Sequence, residues 1–267
     1  MADTHHAEHI VSAFDNDLAQ IEAKVMAMGG LVENQVTEAA RVLVRRDMDE
    51  ADRVMARDEE VDRLEGELDQ MAVRLIALRQ PMAQDLRAVL AAIKVAGNLE
   101  RIGDYAKNMA KRTHVLATVP PVGDSAKTVE RMCRLVVSMV GDVLQAYVER
   151  DKDLAEAVRQ RDEDVDQMHN TLFRALLTYM MEDPRNITPA MHLLFIAKNV
   201  ERMGDHVTAV AEQVWFLVEG ALPEGERPKG DTTPFTMVSE TGDLSVPERG
   251  DLSVQERGDI SLPERGE

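Results

Sequence analysis

The chain has 267 residues, with 31 basic against 49 acidic side chains and a net charge of −18. Aromatic residues make up only 3%, and the dominant Ala, Leu, Val, Met, Glu, Asp and Arg favour helices over sheets. So acidic a chain excludes nucleic-acid binding through phosphate contacts and leaves cations or a basic partner surface as the charged ligands it could attract. No apolar run approaches the ~18 residues of a membrane span. The first residues, MADTHHAEH, have no basic or apolar region of a signal peptide. The single cysteine, Cys133, permits no internal disulfide and reads as a small buried hydrophobe. A soluble, cytoplasmic protein is expected.

Six long helices are predicted between about residues 8 and 219. The first runs from about His9 to Arg46, with Ile21, Val25, Met28, Val32, Val36, Ala39 and Leu43 on one stripe. Gly29-Gly30 interrupts it as a candidate kink. Asp47, with Glu50 three residues on, opens the second helix as a capping box. Val61, Leu64, Leu68, Met71, Leu75 and Leu78 then recur at 3-4 spacing until Gln80-Pro81 breaks the pattern. The third helix starts near Pro81, carries Leu86, Leu90, Ile93, Leu99, Ile102, Ala106 and Met109, and ends before Pro120-Pro121-Val122-Gly123. The fourth spans about Asp124 to Glu149. The fifth starts at Asp151, an N-cap candidate, and runs to Met181 before Asp183-Pro184. Thr188-Pro189 gives the sixth an N-cap with proline in its first turn, and Gly220 closes it after Glu219.

The string Asn-x-Glu-Arg-x-Gly-Asp occurs twice, from Asn98 to Asp104 and from Asn199 to Asp205, 101 residues apart. Upstream, the acidic run from Asp58 to Asp62 is echoed from Asp162 to Asp166 at an offset of 104. A chain with this repeat is two copies of one unit. The expected fold is all-α: two tandem three-helix bundles related by internal duplication, over residues 1–119 and 124–220. The middle helix of each unit has room for a further partner, so the bundles should pack together or meet another chain. From Pro223 the composition turns to Gly, Pro and charge, with an eight-residue repeat (GDLSVPER, GDLSVQER, GDISLPER). Residues 223–267, with 11 acidic and 5 basic side chains, are expected to be a disordered acidic tail.

Residues four apart on a helix share a face. Asp58 with Asp62, Glu100 with Asp104, Asp162 with Asp166 and Glu201 with Asp205 therefore form four carboxylate pairs beside the apolar stripes. The turn near Pro81 lies midway between Asp62 and Glu100, which brings the pairs of the second and third helices to the same height. Ion pairs, shifted pKa values or a bound cation would relieve their repulsion. All-oxygen ligands favour Mg²⁺, Ca²⁺, Mn²⁺ or iron, and a solvated face laced with Arg57, Arg63, Arg101 and Arg202 is the plain alternative. Gly103 and Gly204 each cost a helix about 1 kcal/mol relative to Ala. Something must come close to the backbone there, a tight helix crossing or an ion. His169, three residues after Asp166, resembles half of a di-iron ligand set, but its counterpart is Glu65. No nucleophile signature or phosphate-cradling glycine loop is present, so no enzymatic activity is expected.

These motifs resemble the PhoU family of phosphate-transport regulators. The resemblance rests on QIEAKVMAMGGLVENQ (Gln20 to Gln35), Arg79-Gln80-Pro81 with Asp85-Leu86-Arg87, both NxERxGD strings, and LTYMMED (Leu177 to Asp183). It implies two three-helix bundles and a cytoplasmic regulator that acts between the phosphate ABC transporter and a sensor kinase. The role is negative, restraining uptake and the starvation response when phosphate is plentiful. The implied partners are the transporter's ATPase subunit, the membrane-bound phosphate-sensing histidine kinase and a second copy in a homodimer. Multinuclear metal clusters (iron, zinc, manganese or magnesium) are implied cofactors. Their ligands by resemblance are Asp58, Asp62, Glu100, Asp104, Asp162, Asp166, Glu201 and Asp205.

Overall fold

A computed structural model of the chain describes residues 2–223, 233, 237–238 and 244–245, with side chains from residue 13 through 223 and at 233. Six helices follow one another: α1 (Ala2–Arg45), α2 (Met48–Arg79), α3 (Gln84–Ala117), α4 (Ser125–Glu149), α5 (Lys152–Glu182) and α6 (Ile187–Glu219). A 3-10 turn, Pro184–Asn186, leads into α6. Two two-residue strands, β1 (Met237–Val238) and β2 (Leu244–Ser245), pair antiparallel within the predicted tail. The rest of that tail, and so the expectation of disorder, lies outside the described residues.

The stripe predicted for α1 is the one it buries: Ile21, Val25, Met28, Val32, Val36 and Ala39 are wholly inaccessible. Transfer of each of the five larger side chains, alanine excepted, from water is worth about 1.5–3 kcal/mol. Asp47 caps α2 by accepting from the Glu50 amide at 3.0 Å. Asp151 caps α5 by accepting from the Asp153 and Leu154 amides at 2.9 and 3.0 Å. The residue before each cap, Arg46 and Arg150, is left-handed at φ 60 and 57. That matched pair, 104 positions apart, is a further trace of the duplication.

Three expectations about elements change. Helix α6 begins at Ile187 rather than after a Thr188 cap, because the Asp183 carboxylate accepts from the Arg185 amide and winds the preceding 3-10 turn. Helix α3 begins at Gln84, after Gln80 and Ala83 take positive φ in the turn. Helix α1 passes Gly29-Gly30 without interruption. A Cβ at Gly29 would collide with Leu144 Cδ1 of α4, so this glycine admits a neighbouring helix.

In each unit the middle helix packs on the other two, α2 on α1 and α3, and α5 on α4 and α6. The halves join through α1 against α4 and α3 against α6. It is the first and third helices that meet, not the middle ones. Helices α1, α3, α6 and α4 thus close a central four-helix layer, with α2 and α5 on its flanks. The burial follows: α2 and α5 bury 8 residues each, whereas α3 buries 14 and α6 buries 16. Alanines at positions 88, 91, 92, 96, 106 and 110 let α3 approach three neighbours. Leu78 and Leu90, placed on apolar stripes by sequence spacing, are instead exposed.

Across the α3–α6 seam the rings of Tyr105 and His206 stack with centroids 5.7 Å apart. They hold the same place in the repeat, 101 residues apart, so the contact marks a local two-fold axis. His206 Nδ1 lies 2.8 Å from Asn98 Oδ1. Burial keeps the His206 imidazole below its ordinary range, and Arg101 and Arg202 act in the same direction. Cys133 is buried as expected, and desolvation pushes its thiol up to about 12.

Candidate functional site

The carboxylate pairs lie where each flanking helix meets the central layer. In the first half Asp58, on α2, is 1% exposed. Its Oδ1 accepts from Gln35 Nε2 of α1 at 2.9 Å, and its Oδ2 accepts from Lys107 Nζ of α3 at 2.6 Å. The Lys107 ammonium also lies 3.9 Å from Asp104 Oδ1. The hydrogen bond to Asp58 holds that ammonium above its ordinary range. Three helices therefore meet at one buried carboxylate.

One turn further along α2, Asp62 is held above the usual carboxylate range by desolvation and then by Asp58, with Asp104 adding to the effect. Glu100, half-buried on α3, is raised to about 7. Desolvation is the main cause, followed by the charges of Asp104 and Glu65 and a hydrogen bond with Asp104. Glu65 is itself raised by desolvation and by Asp69 and Asp62. Arg101 reaches over from solvent, 3.7 Å from Glu100 Oε2 and 3.8 Å from Asp104 Oδ2.

The structure thus brings the first half's predicted acids to one α2–α3 seam and adds three residues to them. Gln35, Glu65 and Lys107 complete the cluster. Glu65 had a detectable signal: it lies seven residues after Asp58, two turns along the same face. Gln35 and Lys107 had none, because their roles depend on the registers of α1 and α3.

In the second half Asp162, Asp166 and His169 of α5 are each 2% exposed, and Glu201 of α6 is 6% exposed. Asp205 is half-buried. Lys198, on the same helix as Glu201, places Nζ 2.9 Å from Glu201 Oε2. The second set is therefore more deeply enclosed than the first, where Asp62 is exposed and Glu100 and Asp104 are half-buried.

The paired glycines are explained by the acids themselves. A Cβ at Gly204 would collide with Asp162 Oδ1. A Cβ at Gly103 would stand 3.1 Å from Gln35 Oε1 and 3.4 Å from Asp58 Oδ1. In both halves glycine makes room for the first aspartate of the facing helix.

Among the described residues no three His, Cys, Asp or Glu side chains stand in an arrangement that would grip a metal ion. By type alone, the second half's carboxylates and imidazole are oxygen and nitrogen donors of the kind that divalent ions take. Asp58 fits poorly as a ligand, since Gln35 and Lys107 engage both of its oxygens. Among the described residues no helix is long and apolar enough to cross a membrane.

Comparison with known proteins agrees with this architecture. The PhoU domain model matches twice, over residues 25–113 and 129–214. The chain is 45% identical over 225 residues to the phosphate-specific transport system accessory protein PhoU homolog of Rhizobium meliloti, covering 84% of this chain and 95% of that one. It is 47% identical over 224 residues to the homolog of the same name from Caulobacter vibrioides, covering 84% and 97%. The crystal structure of PhoU from Pseudomonas aeruginosa superposes with a TM-score of 0.74 at 38% identity, over 78% of this chain and all of that one. The phosphate transport system regulatory protein PhoU from Streptococcus pneumoniae gives 0.73 at 26%, over 79% and all of that chain. Twin carboxylate seams on duplicated three-helix bundles, matched over most of their length by these relatives, place the chain in the PhoU family.

Proposed function

We propose that this chain is the accessory regulator of a phosphate-specific transport system and carries the state of that transporter to the phosphate-starvation response. The observation that carries the reading is the double PhoU match together with 45% and 47% identity to accessory proteins over nearly their full length. The chain acts by binding rather than by catalysis, as the relatives' names of accessory and regulatory protein imply. Its partners are the transporter's ATPase subunit and the membrane-bound sensor histidine kinase. It restrains the response when phosphate is plentiful, works in the cytoplasm, and does so as a homodimer.

The acting units are residues 1–119 and 124–220, and both family matches fall inside them. Residues 223–267 are the acidic repeat segment that follows them in sequence. The eight motif carboxylates are the candidate ligands for metal ions, and the donors fit best in the second half. There Asp162, Asp166, Glu201 and Asp205 would hold the ion, with His169 beside them. A bound cation would supply the positive charge that buried carboxylates lack.

The adaptor reading is tested by co-purification from membranes of a phosphate-replete host. The tagged chain should retain both the ATPase subunit and the kinase. Retention of neither would count against it.

A further inference from the structure

The outer side of the α3–α6 seam differs from the rest of this acidic surface. Arg87, Lys94 and Arg101 recur every seven residues on one face of α3, and Arg112 follows on that face about three turns later. On α6, Phe195, Arg202 and Phe216 share a face at multiples of seven. The two faces meet. The Arg112 guanidinium lies 4.4 Å from the Phe195 ring centroid, Lys94 Nζ lies 5.6 Å from that of Phe216, and Tyr105 stacks on His206. Lys94, Arg101, Phe195 and Arg202 are exposed. Among the described residues Arg87, Lys94, Arg112 and Arg202 ion-pair with no carboxylate, and Arg101 comes no closer than 3.7 Å to one. Arg53, Arg79 and Arg159 show the contrast, each drawn to a carboxylate of its own. Five such cations on one seam stand out in a chain of net charge −18.

A row of cations interleaved with aromatic rings suits an acidic segment that also carries apolar side chains. The charges attract its carboxylates, and the rings take the apolar groups between them. The chain holds such a segment. Residues 223–267 have 11 acidic and 5 basic side chains, with Leu or Ile and Val or Leu in every repeat. The segment leaves α6 beside one end of the seam, because a Cβ at Gly220 would collide with Nη1 of Arg87. From Gly220 back to Phe195, α6 runs 25 residues, about 37 Å. The 45 residues of the segment can cover that distance, at up to ~3.3 Å each. We propose that the outer α3–α6 seam is the docking face of the chain's own acidic segment, residues 223–267. A tether holds such a segment at an effective concentration on the order of millimolar, so weak charge attraction suffices.

The test is paramagnetic broadening of amide signals in the full-length chain. A nitroxide is attached at Ser253→Cys, since Cys133 is buried and escapes the label. The amides of Lys94, Arg101, Phe195 and Arg202 should lose intensity selectively and regain it in about 0.5 M NaCl. Arg101→Glu/Arg202→Glu should restore them at low salt. Both side chains are exposed, and circular dichroism checks the fold. Should the helices be lost, Lys94→Glu takes the place of the double variant. A seam that is not broadened overturns the proposal. So does broadening that only fades with distance from Gly220 and ignores both salt and charge reversal. Broadening of an isotope-labelled chain by a spin-labelled, isotope-free one would assign the seam to the segment of a second copy, and the proposal fails in that case too.

Discussion

At the scale of single residues, the motif's glycine and its carboxylates form one device. Gly204 leaves the space that Asp162 Oδ1 occupies. Gly204→Ala should therefore destabilise the chain by about 1–3 kcal/mol through overpacking, against the ~1 kcal/mol that alanine returns to a helix. Gly66 has nothing within 4 Å of the added Cβ, so Gly66→Ala should stabilise by about 0.5–1 kcal/mol. Urea denaturation of the two variants checks both signs. Glu100 titrates near 7 in the folded chain against an ordinary 4.5. Its protonated form is favoured by folding, so the contribution is complete below about pH 4.5 and is lost as pH rises through 7. In chelator-treated protein, Glu100→Gln should flatten the fall in melting temperature between pH 5 and 8; an unchanged slope would contradict the assignment. The four pairs were legible because i, i+4 spacing fixes a shared helix face. Depth was not legible: the same spacing leaves Asp62 exposed and Asp166 buried.

At the scale of elements, caps and breakers did most of the specifying. Asp47 and Asp151 mark their helices in sequence and cap them in space, yet they are not equal. Asp47 holds one amide and Asp151 two. Asp151→Ala should cost about 1 kcal/mol or more, and Asp47→Ala less; thermal melts of the pair decide the order. The start of α6 was misplaced because Asp183, read only as the end of α5, also caps the turn that leads into α6, five residues before Thr188. The aspartate wins by accepting from the Arg185 amide and ion-pairing with the Arg185 guanidinium at 2.7 Å. The stripe on α3 was misjudged for another reason. Leu86 and Leu90 outweigh alanine on any hydropathy pattern, but α3 has helices on three sides and turns its alanines inward. Close packing selects small residues there, and the larger Leu90 is left exposed.

At the scale of the molecule, the duplication predicted two units but not how they join. Apolar stripes name a buried face without naming its partner, and the joining helices proved to be the first and third of each unit. The consequence is one continuous core, in which Val32 and Val36 of one half and Val136 and Val140 of the other belong to a single buried cluster. The chain should therefore unfold in one calorimetric transition whose van't Hoff and calorimetric enthalpies agree; two separate peaks would show that the halves are independent. The central claim is that this molecule holds the phosphate-starvation response off, and deletion of its gene from the host tests it most directly. Alkaline phosphatase activity in phosphate-rich medium should rise on deletion and return to the repressed level when the intact chain is restored. Activity that stays repressed after deletion would contradict the account.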